Sequence, residues 1–339
     1  MNKVFKWIAI VAACVLVIGV AFAGIGALLG GKLIGYAFNF GNMNIRTAED
    51  LVEETVDLEP FDEIYVEAAD PYVIIKKGNE NKINYKLPKE MIPTITNEQG
   101  KLSVVQDKKK NNFDINMGYN ENIYIEIVVD NDELTKLDVK ASSGDVSVED
   151  LNVEGKIKVS SGAIYIENCA EGKDLETVVS SGSLTINNSN FENLSHKQSS
   201  GDTEINTVTA KSIAIDSTSG SVTVLSVNAD TIDCKLTSGE IYASEVECDS
   251  IKTKNTSGDI NILNIRTDKV EADSTSGTVE YMIIGDENDY DFTLKATAGD
   301  VKAGSVEADH KFERNNGLDK SVNANTTSGD VIINFTEDN

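Results

Sequence analysis

Arginine is nearly missing from this chain: among 339 residues only Arg46, Arg266 and Arg314 carry a guanidinium. The bidentate forks that usually clamp phosphates and carboxylates are therefore scarce. Lysine and arginine together number 30 against 56 acids, for a formal charge of −26. Long-range repulsion of that size opposes nucleic acid and anionic surfaces, so no nucleic-acid partner is expected. The acid is spread thinly along the whole chain, as a solubilising surface requires; the alternative use of it is attraction of divalent cations or cationic polymers.

Cysteine is also sparse. Cys14, Cys169, Cys234 and Cys248 include no close pair of the kind that nucleates zinc sites or redox motifs, so neither a metal nor another cofactor is expected. Cys14 lies in an apolar segment, which leaves an odd three; at least one of these reads as a small buried core residue, and a Cys234–Cys248 bridge stays open. Of the two histidines, His196 stands in a column otherwise held by Val139, Ile215, Cys234 and Leu294 and reads as a core residue. His310 has no evident nucleophile partner, so a Ser-His-Asp arrangement lacks support despite abundant serine.

Long apolar runs are absent with one exception. Trp7 to Leu29 carries no charge over 23 residues, enough at ~1.5 Å per residue to cross a ~30 Å hydrocarbon core. It reads as one transmembrane helix, with the lipid bilayer as its partner. Lys3 and Lys6 precede it and Lys32 alone follows before an acidic region. The expected localisation is the cell membrane, single-pass, with the amino terminus cytoplasmic and the remainder extracytoplasmic. Two alternatives are a signal peptide cleaved after Ala21-Phe22-Ala23 and lipidation at Cys14. Apolar sequence continues to Leu29, which suits an uncleaved anchor better, and the run before Cys14 is short for a lipoprotein.

What the chain has in quantity is one phrase. ASSGDVSV, VSSGAIYI, VSSGSLTI and seven variants return around Gly144, Gly162, Gly182, Gly201, Gly220, Gly239, Gly258, Gly277, Gly299 and Gly329. From Gly182 to Gly277 every step is 19 residues, preceded by steps of 18 and 20 and followed by 22 and 30. A fixed period of this length marks a solenoid. Apolar residues sit two and four places after the glycine, as in Val146/Val148, Leu184/Ile186 and Ile260/Ile262. Period two means strand, so each coil is expected to hold two or three short strands. The glycines are structural: a coil must turn sharply at the same place each time, and glycine accepts positive φ without steric cost. The hydroxyl pair before each glycine suits the same turn, and only Ala298 breaks its second column.

The apolar side chains of one coil cannot offset the ordering of nineteen residues, so coils must fold against neighbours. About ten of them give a rod on the order of 50 Å long. The fold class expected is all-β: a single-chain β-solenoid of ~19-residue coils behind one amino-terminal transmembrane helix. The domains are residues 1–35, cytoplasmic tip and anchor; 36–55, linker; 56–136, a strand-rich entry and capping region; and 137–339, the solenoid. Glu307 to Asn323 widens the last interval and is expected as a surface loop.

Acids follow many of the glycines (Asp145, Asp202, Glu240, Asp259, Asp300, Asp330), but the GGxGxD phrase of calcium-binding arrays is absent. Weak cation sharing by Glu240 and Asp259 stays open. Near-constant coils leave little room for the groove a polysaccharide-cleaving β-helix needs, so no catalytic residues are assigned. The outward column Thr185, Glu204, Thr223, Tyr242, Asn261 lacks the regular threonine pairs of an ice-binding face.

The anchor, the β-rich entry region and the hydroxyl-hydroxyl-Gly-(Asp)-apolar-x-apolar phrases resemble a bacterial family of β-strand-repeat proteins of unknown function, labelled putative adhesins. The likeness covers roughly residues 55 to 337. Ile123-Tyr124-Ile125-Glu126-Ile127-Val128-Val129-Asp130 resembles the family's I-x-I-x-[IVL]-P entry phrase without its proline. The resemblance implies a β-solenoid at the cell envelope and supplies no catalytic residues. The function expected is a non-catalytic surface module for binding, structure or envelope sensing, with an envelope polymer, a partner protein or a host surface ligand as partner. The alternative is a carbohydrate-active β-helix enzyme at the cell surface.

Overall fold

The computed structural model describes residues 36–39, 45–46, 51–106, 114–117, 123–131, 133–171 and 173–337. The expected transmembrane helix lies outside the described residues, among which no helix is long and apolar enough to cross a membrane. Residues 1–51 with 109–122 form one compact unit, and 52–108 with 123–339 a second. The first contains a three-stranded antiparallel sheet, in which Tyr36–Asn39 pairs with Ile45–Arg46 and with Asp114–Met117.

The second unit is all-β and built on the repeat. Five coils are each one continuous 17-residue strand: Leu184–Ser200, Thr203–Ser219, Val222–Ser238, Ile241–Ser257 and Ile260–Ser276. They stack parallel and in register, so that Leu184, Thr203, Val222, Ile241 and Ile260 form one column. The expected two or three strands per coil are thus a single strand bent at corners. All five coils bury the same seven positions, at 2, 4, 7, 9, 12, 14 and 16 residues past the glycine. Strict alternation is interrupted after positions 4, 9 and 16, which gives three corners and three faces per coil.

Each corner has its own chemistry. The glycine corner holds φ between 116° and 145° from Gly182 to Gly277. A Cβ at Gly220 would lie 1.8 Å from the Gly201 carbonyl oxygen, so close stacking requires glycine as well as the turn does. The second corner, six residues past the glycine, is left-handed without glycine: Asn188, Thr207, Ser226, Glu245 and Asn264 have φ of 50–57°. The third consists of two successive outward residues, such as Glu192 and Asn193.

The stack extends well before the first repeat phrase. Tyr72–Lys77 pairs parallel with Val146–Glu149, which places Pro71 beneath Gly144. Tyr124–Val129 then pairs parallel with the other edge of Tyr72–Lys77. Beside them, Glu63–Ala68 is sandwiched between Lys136–Ala141 and Lys101–Val105. Chain order and stack order therefore differ at this end, since residues 63–77 lie inside strands that come later in the sequence, Lys101–Val105 and Tyr124–Val129.

The carboxy-terminal end repeats the device. The last strands, Lys320–Ser328 and Val331–Thr336, insert between the Gly277 coil and the Gly299 coil. On the face that follows the glycine, twelve parallel rungs run from Tyr124–Val129 to Val301–Ala303, or about 50 Å at ~4.8 Å per rung. Antiparallel strands close both ends: Lys82–Pro88 on Tyr124–Val129, Thr94–Glu98 on Lys101–Val105, and Val306–Arg314 on Tyr290–Ala303. Much of the segment expected as a loop at 307–323 is this closing strand. Its alternating Glu307, Asp309, Lys311 and Glu313 put charge on an edge that would otherwise recruit further strands.

Candidate functional site

The acids that follow the glycines serve the stack first. Asp145 Oδ1 accepts the Ala163 N–H at 2.8 Å, Asp202 the Ser221 N–H at 2.9 Å, Asp259 the Thr278 N–H at 2.7 Å and Asp330 the Asp300 N–H at 2.9 Å. Each carboxylate thereby caps a donor on the adjacent rung, at the point where the turn interrupts the ladder. The ten predicted glycines line this same corner, with the Gly182, Gly201, Gly220, Gly239 and Gly258 N–H groups donating to the serine carbonyl that precedes the next glycine. The cross-coil contact of the hydroxyl pair is thus through its backbone carbonyl. Among the described residues no group of three or more His, Cys, Asp or Glu is placed to hold a metal ion.

A chain of polar side chains runs through the interior beside the Gly182 corner. His196 is buried, takes a hydrogen bond from Thr177 Oγ1 at Nδ1 (2.8 Å) and donates from Nε2 to Gln198 Oε1 (3.1 Å). Thr203 Oγ1 donates to the same Gln198 oxygen at 2.5 Å, and Gln198 Nε2 donates to the Gly182 carbonyl at 2.6 Å. Burial pushes the imidazole below its ordinary pKa, which keeps it neutral. Its partners are hydroxyl, amide and backbone, and it has no access to substrate, so its role is in packing. His310 is exposed, with Nδ1 on the Gly299 carbonyl at 2.8 Å. Cys169, Cys234 and Cys248 are free thiols inside the core, and burial pushes them up to about 12, 12 and 11. Thiols so far from ionisation are poor nucleophiles.

Position 16 was not legible as an interior column, because Gln198, Ser217, Asn255 and Ser274 are polar. Its logic is local: Asn255 Nδ2 donates to the Gly239 carbonyl at 2.8 Å, as Gln198 does to Gly182, closing the coil on its own first residue. The second corner was missed as well. Its signal is Asp150, Asn168, Asn188 and Asn264, residue types that tolerate the left-handed region.

The outward surface of the stack offers columns of side chains. On the face after the glycine, Tyr165, Thr185, Glu204, Thr223, Tyr242, Asn261 and Glu280 follow one another rung by rung. The face before the glycine pairs lysine with acid, as in Lys156–Glu176 (2.9 Å), Lys235–Asp233 (2.8 Å) and Lys252–Glu271 (2.6 Å). Exposed pairs of this kind contribute little stability. Open clefts interrupt the surface of the described residues. One of about 350 Å³ is bordered by Asp230, Asp249, Arg266, Asp268 and Lys320. Another, of about 490 Å³, is bordered by Asp300, Lys302, Glu307, Asp309 and Asp330.

A family model described as Toastrack DUF4097, a domain of unknown function, matches residues 61–334. No curated protein matches the chain. Among solved structures, a putative adhesin from Parabacteroides merdae is 14% identical at a TM-score of 0.40, covering 86% of this chain and 96% of that one. A putative adhesin from Bacteroides fragilis is 13% identical at 0.36, covering 85% and 98%. A putative lipid binding protein from Parabacteroides distasonis is 15% identical at 0.37, covering 84% and 97%. At these scores the likenesses say nothing about a ligand.

Proposed function

The chain belongs to the Toastrack DUF4097 family, and from that premise we propose that it is a non-catalytic extracytoplasmic module, anchored in the cell membrane by Trp7–Leu29. It presents its long strand-built face to an envelope polymer, a partner protein or a host surface. The observation that supports this reading is the use of the acids: Asp145, Asp202 and Asp259 accept backbone N–H groups across the rungs instead of converging on a groove. Binding by such a face draws on many repeated, shallow contacts, as extended solenoid surfaces do.

The test is protease accessibility on intact cells, with an epitope tag after Asn339. Loss of the tag from intact cells, leaving a small membrane-bound fragment, is the expected result. Protection until lysis would place the repeats in the cytoplasm and end the surface reading. The alternative, a carbohydrate-active enzyme, takes its support from the cleft that gathers Asp300, Glu307 and Asp309. The expected outcome with envelope polysaccharide is binding without cleavage; release of reducing ends, abolished by Glu307→Gln, would favour the enzyme instead.

A further inference from the structure

The last coil of the chain is not the last rung of the stack. Ser321–Ser328 pairs with Lys269–Ser276 on one side and with Tyr290–Ala298 on the other, while Val331–Thr336 lies between Val279–Ile284 and Val301–Ala303. The Gly277, Val279 and Gly285 N–H groups donate to the Ser328, Asp330 and Thr336 carbonyls, and the Gly304 N–H donates to Ile333. Without the terminal coil these donors face a slot one rung wide, and Val322, Ala324, Val331 and Ile333 no longer fill the interior between the flanking coils. The slot forms from residues synthesised before the segment that fills it.

One contact fixes which segment fills it. The connection from the closing strand, Asn315 to Asp319, folds over Asp291. The Asp291 carboxylate accepts the Asn316 N–H at 2.7 Å, the Gly317 N–H at 3.0 Å and the Leu318 N–H at 2.9 Å. These three bonds latch the hinge to its own chain, whereas the slot itself recognises only a ladder and the phrase hydroxyl-hydroxyl-Gly-Asp-apolar-x-apolar. A second copy presents the same phrase.

We propose that Lys320–Thr336 is an exchangeable coil: with the Asp291 latch open, it enters the same slot of a second copy of this chain, and the two chains complete each other. Exchange of an identical element through a short hinge needs no new interface, because every ladder and apolar contact already exists within one chain.

Glu280 and Ile332 are register partners across one edge of the slot and are only partly buried. The full chain, in detergent and with Cys14→Ser, supplies one copy with Glu280→Cys and another with Ile332→Cys. The three remaining native thiols are buried. The two copies are mixed, briefly exposed to mild denaturant, returned to buffer and treated with a short bismaleimide. A covalent heterodimer is expected, rising several-fold when both copies carry Asp291→Ala, or Asp291→Asn where the alanine variant does not fold. A single chain with both cysteines is expected to link internally. Internal linking without heterodimer overturns the proposal. So does equal linking of the Glu280→Cys copy to one with Lys197→Cys, which would mark random collision. Failure of the single chain to link would show the intercalated register to be wrong, and the exchange with it.

Discussion

Thr207 sits at φ 56°, in a corner that its neighbours fill with Asn188 and Ser226. For a side chain other than glycine this region costs roughly 1–2 kcal/mol, and a β-branched residue is among the worst placed there. Asparagine tolerates it, and the column already shows how its amide is used, since Asn168 Nδ2 donates to Asp150 Oδ1 on the adjacent rung at 3.0 Å. Thr207→Asn is expected to stabilise the protein by about 0.5–1 kcal/mol, read as a higher urea midpoint at unchanged slope. An unchanged or lower midpoint would mean that the corner relaxes around threonine without strain. The glycine corner was legible in the sequence and this one was not, for a physical reason. Within the glycine repeats, stacked backbones ~4.8 Å apart leave no room for a Cβ at the first corner, whereas at the second several residue types pay a tolerable penalty and the column never becomes uniform.

Within a coil the seven inward positions are not equivalent. Positions 4 and 12 are apolar throughout and could be read from alternation, while position 2 admits Thr203, position 14 admits His196 with Thr177 as its register partner, and position 16 admits Gln198. These polar residues survive burial because they satisfy one another and the Gly182 carbonyl. The neutral state of His196 links this network to pH. Its pKa is lowered on folding from the ordinary 6.5, so below that value the unfolded chain takes up a proton that the folded coil resists. Its stabilising contribution is therefore complete above pH 6.5 and is lost as pH falls, by up to ~1.4 kcal/mol per pH unit. Asp291 and Glu313, held low by backbone N–H groups and by Lys311, begin to lose their contributions only as pH falls to their ordinary values of 3.8 and 4.5. Between those two regimes the wild type is expected to weaken with acid while His196→Val stays nearly flat, in urea titrations taken at intervals from neutral pH down to about 5. Parallel curves would assign the acid sensitivity to other groups.

Across the whole molecule, a simple stack of coils should fray from both ends, because each terminal coil has one neighbour instead of two. This chain departs from that rule at both ends: near one a coil is flanked by strands that come later in the sequence, and near the other the last coil is enclosed by one that comes earlier. The repeat phrase announced the coils but not their order, since every phrase fits every slot. The only trace of the crossing was the lengthening of the last two steps to 22 and 30 residues. At the other end the enclosed coil carries Ala69-Asp70-Pro71 in place of hydroxyl-hydroxyl-Gly and so escaped the pattern altogether. Position along the chain and exposure to fraying are consequently uncoupled. Amides of Val331–Ile333, six residues or more from the carboxy terminus but laddered on both sides, are expected to exchange as slowly as those of Ile260–Ile262. Amides of Val306–Arg314, laddered on one side only, should exchange faster. Native-state hydrogen exchange with fragment-level readout decides between this ordering and the opposite one, in which protection falls steadily toward Asn339. In the Asp291→Ala variant the protection of Val331–Ile333 should drop while that of Ile260–Ile262 holds, because the latch governs departure of the terminal coil and not the coils beneath it.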